Sequence, residues 1–207
     1  GAVTVICTDK TGTLTQNRMQ VYRADFYGLS SEGKLSDDAL SRCIEQGMAA
    51  NSTAFLETNP QGQVHPIGNP TEGALLLWLR NQGKDYQQLR EGVEVVAQLT
   101  FSTERKYMAT LVRDAEGECT LYVKGAPEIV FSKCARVALS DREDEASRWG
   151  DDLREKLIGY QNQAMRTLGF AYRKVEEKDL RMPLEELSAQ GLVFLGITAI
   201  SDPVRPD

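Results

Sequence analysis

Cys119-Thr120-Leu121-Tyr122-Val123-Lys124-Gly125-Ala126-Pro127-Glu128 alternates in character residue by residue and then meets a proline. In an extended chain alternate side chains point to opposite faces, so Cys119, Leu121 and Val123 share an apolar face and Thr120, Tyr122 and Lys124 share the other. The pattern is that of a strand. Lys124 then projects from the strand end beside Gly125 and Ala126, where a missing side chain would leave room for a ligand. Pro127 suits the first turn of a helix continuing through Glu128, Ile129, Val130 and Phe131.

Upstream, residues 93–100 and 107–113 carry the same signal, and Ala115-Glu116-Gly117-Glu118 supplies a hairpin turn into the Cys119 strand. Three successive antiparallel strands are expected. Phe101-Ser102-Thr103-Glu104-Arg105-Lys106-Tyr107-Met108 joins the first two, and on residue type alone Phe101 belongs in the core. Further upstream stands Gly68-Asn69-Pro70-Thr71-Glu72-Gly73-Ala74-Leu75-Leu76-Leu77-Trp78-Leu79. Asn69 or Thr71 can cap a helix here, and the apolar run implies burial nearly all round until Asn81-Gln82-Gly83 stops it. Glu72 sits at the positive helix start, where simple dipole compensation is its plainest role.

The remaining segments read as scaffold. Residues 19–27 suit a strand. Ser36 caps a helix with Asp37 and Asp38 in its first turn and Leu40, Cys43, Ile44, Gly47 and Met48 on one face. Residues 51–69, with Pro60, Gly62, Pro66 and Gly68, have the composition of a surface loop. It holds His65, the only histidine, which is read as incidental. Residues 141–152 are a solvated loop and helix start, and Leu153, Leu157, Tyr160, Ala164 and Leu168 form a helix stripe. The chain re-enters the sheet over 168–172, and 191–200 is a last buried strand.

The chain of 207 residues is 41% hydrophobic, enough to bury a core, and its net charge is −6. A sequence pI near 5.0 argues against general nucleic-acid or anionic-membrane binding, so a polyanionic ligand needs a local basic cluster. Cys7, Cys43, Cys119 and Cys134 form no Cys-x-x-Cys pair and read as reduced, buried thiols of a cytosolic protein. The apolar run 191–200 is half the roughly 20 residues a spanning helix needs, and no signal-peptide pattern opens the chain.

Near the start, Val3-Thr4-Val5-Ile6-Cys7-Thr8-Asp9-Lys10-Thr11-Gly12-Thr13 delivers one carboxylate from an apolar strand into a Gly- and Thr-rich turn. Ligand sites of open α/β sheets lie beyond such strand ends. Gly12 lets backbone amides approach a phosphate, and Asp9 and an oxygen near Thr11 could hold a Mg²⁺. Phosphoryl transfer to Asp9, with Lys10 beside it, would give an aspartyl phosphate. The plain alternative is an Asp-initiated turn.

Asp9-Lys10-Thr11-Gly12-Thr13-Leu14-Thr15 resembles the phosphorylation loop of P-type ATPases. Residues 68–75, 101–108, 124–128, 165–168 and 202–205 resemble the nucleotide-binding domain of that family, in the family's order. The resemblance implies an α+β fold, a twisted antiparallel sheet of about six or seven strands flanked by helices. It implies residues 1–16 as a stub of the phosphorylation domain, 17–202 as the inserted nucleotide-binding domain, and 203–207 as the hinge back. ATP and Mg²⁺ are the implied ligands. Phe101 would stack on adenine, while Glu72, next to Thr71, would receive its exocyclic amino group. Lys106 and Lys124 would line the pocket, Lys124 toward the phosphates, beside Gly125 and Ala126. Met108 and Leu168 would pack around the base or ribose, and Arg166 would reach the phosphates. Such a set supplies the basic cluster that an acidic chain requires.

The family's Thr-Gly-Asp, Gly-Asp-Gly-x-Asn-Asp and actuator Thr-Gly-Glu strings do not occur here. The chain is therefore expected to be an excised piece that binds nucleotide with little or no hydrolysis. Its partners would be the phosphorylation, actuator and transmembrane domains of a pump in the plasma or inner membrane, with this piece on the cytoplasmic face. Lys124-Gly125-Ala126-Pro127-Glu128 with the Phe101 segment favours type II cation pumps, calcium first by analogy. A haloacid-dehalogenase-like phosphatase with a large cap, or a nucleotide-binding regulator without catalysis, are the alternatives. The phosphatases usually carry a second Asp where this chain has Thr11.

Overall fold

The computed structural model describes residues 18–30 and 32–203. Asp9, Lys10 and Thr11 lie outside the described residues, as do the rest of the 1–16 segment and 204–207. Among the described residues the chain runs β1 (Gln20–Phe26), α1 (Ala39–Ala50), β2 (Phe55–Thr58), β3 (Val64–Ile67), α2 (Pro70–Asn81), α3 (Tyr86–Glu91), β4 (Val93–Leu99) and β5 (Tyr107–Asp114). It continues through β6 (Cys119–Gly125), α4 (Pro127–Ser132), β7 (Cys134–Ala138), β8 (Glu143–Glu145), α5 (Gly150–Gln161), β9 (Arg166–Val175), α6 (Leu184–Leu187) and β10 (Leu192–Ser201). No helix among the described residues is long and apolar enough to cross a membrane.

The whole of β6 is buried, which requires cover on both sides of the sheet. Its strand neighbours follow the order β4-β5-β6-β9-β10-β7-β8. Cys119, Leu121 and Val123 face a core with Val130 of α4, Leu153, Leu157 and Tyr160 of α5, and Leu187 of α6. On the opposite face, Phe170, Leu195 and Ile200 meet Ile44 and Met48 of α1, Leu75, Leu76 and Leu79 of α2, and Tyr86 of α3. The period-2 pattern of the sequence is thus satisfied by two helical layers.

β10 organises the sheet. One side pairs antiparallel with β9; the other pairs parallel with β7 over Leu192 to Phe194, then antiparallel with β1 from Gly196 to Ser201. Gly196 stands at the changeover, at φ 148°, and a Cβ there would lie 2.2 Å from the Asp25 carbonyl oxygen. The register shifts at this point, so Leu192 and Phe194 before it and Ile197 and Ala199 after it reach the same core. The pairing Gln20↔Ser201 brings the start of β1 beside the end of β10.

The fold is the expected α+β arrangement with a larger sheet: eight strands, mostly antiparallel, with the β7/β10 pair parallel. Several local expectations are corrected. Residues 51–69 contain the β2/β3 hairpin, whose turn is tied by the Asn59 side chain accepting from the Gln61 and Gln63 amides; polar composition concealed it. Asp38, not Ser36, caps α1, its carboxylate accepting from the Ser41 amide at 2.7 Å. α5 stops at Gln161; Ala164 is left-handed at φ 58° and Leu168 lies in β9, so neither belongs to its stripe. The 141–152 loop holds β8, and β7 precedes it. Of the cysteines, Cys119 is buried and Cys43 and Cys134 are half-buried free thiols.

Candidate functional site

The antiparallel register gathers the sequence-distant candidates at one end of the sheet. Met108 pairs with Lys124, Lys124 with Phe170 and Gly125 with Gly169. The start of β5, the end of β6 and the start of β9 therefore coincide, and the Phe101 loop, which runs into β5, reaches the same end. Pairing of Arg166 with Ile200 and of Gln20 with Ser201 adds the end of β10 and the start of β1. Cross-strand partners share a face, so Met108 and Lys124 lie on the side covered by α1 and α2, as does Leu168, two residues from Phe170.

Glu72 and Lys124 are the centre of this end. Asn69 caps α2, accepting from the Thr71 and Glu72 amides, which fixes Glu72 in the first turn. From there its carboxylate meets the Lys124 ammonium at 2.6 Å, with both residues buried. Glu72 also accepts from the Thr53 hydroxyl at 2.7 Å and from the Thr53 amide. Burial alone would push the Glu72 carboxyl up; the Lys124 charge and the Thr53 donors overcome it and hold the carboxyl below its ordinary range. Burial pushes the Lys124 ammonium down, opposed by Glu72. A second partner of Lys124 is the main-chain carbonyl of Asn51, at the negative end of α1. Arg90 braces the same turn, donating to the Ala49 and Ala54 carbonyls at 2.6 Å each.

The other candidates lie at the same end of the sheet. Phe101 is 57% exposed, so the core reading is overturned: its ring is displayed on the surface. The loop carrying it is braced by Arg105, which donates to the Thr100 carbonyl and pairs with Glu185 at 3.2 Å. Lys106 closes that loop, exposed and left-handed at φ 64°. Met108 is buried, Leu168 half-buried, and Thr71 donates to the Met19 sulfur at 3.5 Å. The exposed Arg166 is engaged through Nε with Asp202 at 3.0 Å. Clefts of about 360 Å³ beside Trp78 and about 490 Å³ beside Lys133 are lined by none of these residues.

Two expectations change. The missing side chain at Gly125 leaves no ligand space, because a Cβ there would stand 2.3 Å from the Lys106 carbonyl oxygen and 2.6 Å from Tyr107 Cα. Glycine is needed for the close approach of β5 to β6. The Lys124 ammonium, expected toward the phosphates, is bonded to the Glu72 carboxylate. Asn51 and Thr53 were not legible as site residues. Asn51 follows a helix end, an ordinary capping position, and nothing local relates it to Lys124, 73 residues away.

Comparison with known proteins finds one family. Residues 39–207 match the family model described as P-type ATPase, cytoplasmic domain N. The chain is 34% identical over 212 residues to Calcium-transporting ATPase 1 of Lactococcus lactis, covering 99% of this chain and 23% of that protein. It is 36% identical over 219 residues to Calcium-transporting ATPase PAT1 of Dictyostelium discoideum, and 33% identical over 223 residues to human Plasma membrane calcium-transporting ATPase 4. All of this chain is covered in both, but only 19% and 18% of those proteins. The chain thus spans about a fifth of the length of the curated relatives it matches. A match over most of its length to one domain model, on a fold with the expected layers, shows that the chain belongs to the P-type ATPase family, as its cytoplasmic domain N.

Proposed function

We propose that this chain holds ATP at the sheet end built by Glu72, Lys124, Met108, Leu168 and Phe101, in a pump that transports calcium and phosphorylates its own Asp9. The observation that carries the reading is that one end of the sheet holds both the buried Glu72–Lys124 pair and, on a braced loop, an aromatic ring left 57% exposed. A base needs a flat apolar platform and an edge of hydrogen-bonding groups, and this end offers both. Lys124 belongs with Glu72 at the base edge, while Lys106 and Arg166 supply charge toward the triphosphate. Thr71 and Ala126 flank this end at the start of α2 and the end of β6.

Among the described residues no group of three or more His, Cys, Asp or Glu could hold a metal ion. The Mg²⁺ of the reaction is assigned to Asp9 and Thr11, with Lys10 beside them, and would offset the charge of the transferred phosphoryl group. Family membership and the calcium-transporting relatives favour the pump over the phosphatase and regulator readings.

Calorimetric titration of ATP is the first test. Binding without steady phosphate release is expected, because the catalytic strings absent from this chain would be needed to position the γ-phosphate. Asp9→Asn should leave ATP affinity unchanged; phosphate release that disappears in Asp9→Asn would show that the chain is a complete catalyst.

Base choice is the second. Thr53 and Lys124 place three donors on the Glu72 carboxylate, the Thr53 amide shared between its two oxygens, and the amino group of adenine would take over one half of that shared bond. Guanine presents a carbonyl oxygen there instead. ATP is expected to bind better than GTP by about 1 kcal/mol, the low end for an unsatisfied polar group. Glu72→Gln should narrow the gap, since an amide can turn its NH₂ toward guanine. An unchanged gap in a folded Glu72→Gln would remove Glu72 from the base edge.

A further inference from the structure

Asn51 joins the centre of the site to the sheet. Only 2% exposed, it makes polar contacts in three directions. Its main-chain carbonyl accepts from the Lys124 ammonium. Its side-chain oxygen accepts from the Thr110 hydroxyl at 2.6 Å, and its side-chain amide donates to the Met108 carbonyl at 3.4 Å. Thr110 is itself fully buried, and its hydroxyl oxygen accepts from Gln98 of β4 at 3.0 Å. A continuous polar path therefore runs Glu72, Lys124, Asn51, Thr110, Gln98, ending three residues before Phe101.

We infer that Asn51, held by Thr110, is a positioning residue of the nucleotide site, setting the Lys124–Glu72 pair against β5; this rests on the ATP reading above. A buried lysine has a long flexible stem, and its ammonium goes where its acceptors are fixed. One acceptor, Glu72, is fixed by the start of α2. The other is a carbonyl just past the end of α1, where the helix no longer dictates the backbone and the chain turns toward β2. The two side-chain bonds from Asn51 to β5 lock that turn. Ser52 and Thr53 follow directly, so the same lock sets the Thr53 donors on Glu72. The Thr110 hydroxyl donates to the site through Asn51.

The test uses Thr110→Val, nearly the same shape without the hydroxyl, and Thr110→Ser, which keeps it. Two readouts are taken: calorimetric affinity for ATP and for adenosine, and the NMR signal of the Lys124 ammonium without nucleotide. Thr110→Val is expected to weaken ATP and adenosine alike, by about three- to tenfold, the range for one lost intramolecular hydrogen bond. It should also shift the Lys124 signal, while Thr110→Ser stays near wild type in both. Wild-type affinity in Thr110→Val, or equal losses in Val and Ser, would overturn the inference and leave Thr110 a packing residue. If Thr110→Val does not fold, Asn51→Ser, too short to reach β5, takes its place with the same expectations. Should wild type bind neither ligand, the ATP reading falls, and the Lys124 signal alone decides: a shift in Val absent from Ser supports the positioning role, and no shift overturns it.

Discussion

Lys124→Met is expected to lower the unfolding free energy by about 3–5 kcal/mol, the usual loss when one partner of a buried ion pair is removed. The Met stem fills much of the same space, so the loss comes from the Glu72 carboxylate, left buried with only its Thr53 donors. In wild type the Glu72 pKa lies below its ordinary value. Its contribution to stability is then present above the ordinary carboxylate range and is lost as pH falls through the depressed pKa. In Lys124→Met burial raises that pKa instead, so the deficit against wild type should shrink as acid protonates Glu72. The double variant Lys124→Met, Glu72→Leu should recover most of the loss, because paired apolar replacements of a buried ion pair are often neutral. Urea unfolding of wild type and the two variants at neutral and acidic pH checks this. A deficit below about 1 kcal/mol at neutral pH would mean that water reaches the pair.

Phe101→Ala is expected to act the other way, removing ligand affinity while sparing the fold. Stacking on an aromatic side chain contributes about 1–3 kcal/mol per base in nucleic-acid complexes, which corresponds to roughly five- to 150-fold in affinity. ATP and adenosine should lose equally, because the ring touches the base in both. Thermal stability should hardly move, since Phe101 is 57% exposed and buries little surface. Calorimetry with both ligands, alongside a melting curve, separates the two effects. A folded Phe101→Ala with wild-type affinity would mean that the exposed ring is not the base platform.

The sequence alone determined the strand at 119–124, a helix capped by Asn69 or Thr71 and stopped at Asn81-Gln82-Gly83, the buried last strand and the two faces of β6. Each is a local pattern: alternation, a capped apolar run or an uncharged stretch is written in neighbouring residues. The motif strings also carried the family, because they are short and contiguous. Tertiary structure decided what those patterns leave open. Whether Phe101 is core or surface depends on what packs over its loop, and the structure leaves its ring exposed. Which carboxylate Lys124 meets depends on where the start of α2 lies, 52 residues earlier, and Glu72 there is 2.6 Å from its ammonium. Gly125, read as space for a ligand, proved to be space for the neighbouring strand. Asn51 gave no signal because a buried polar residue is defined by its partners, and those come from β5 and β6. Periodicity fixes which way a side chain points; only the folded chain fixes what it meets there.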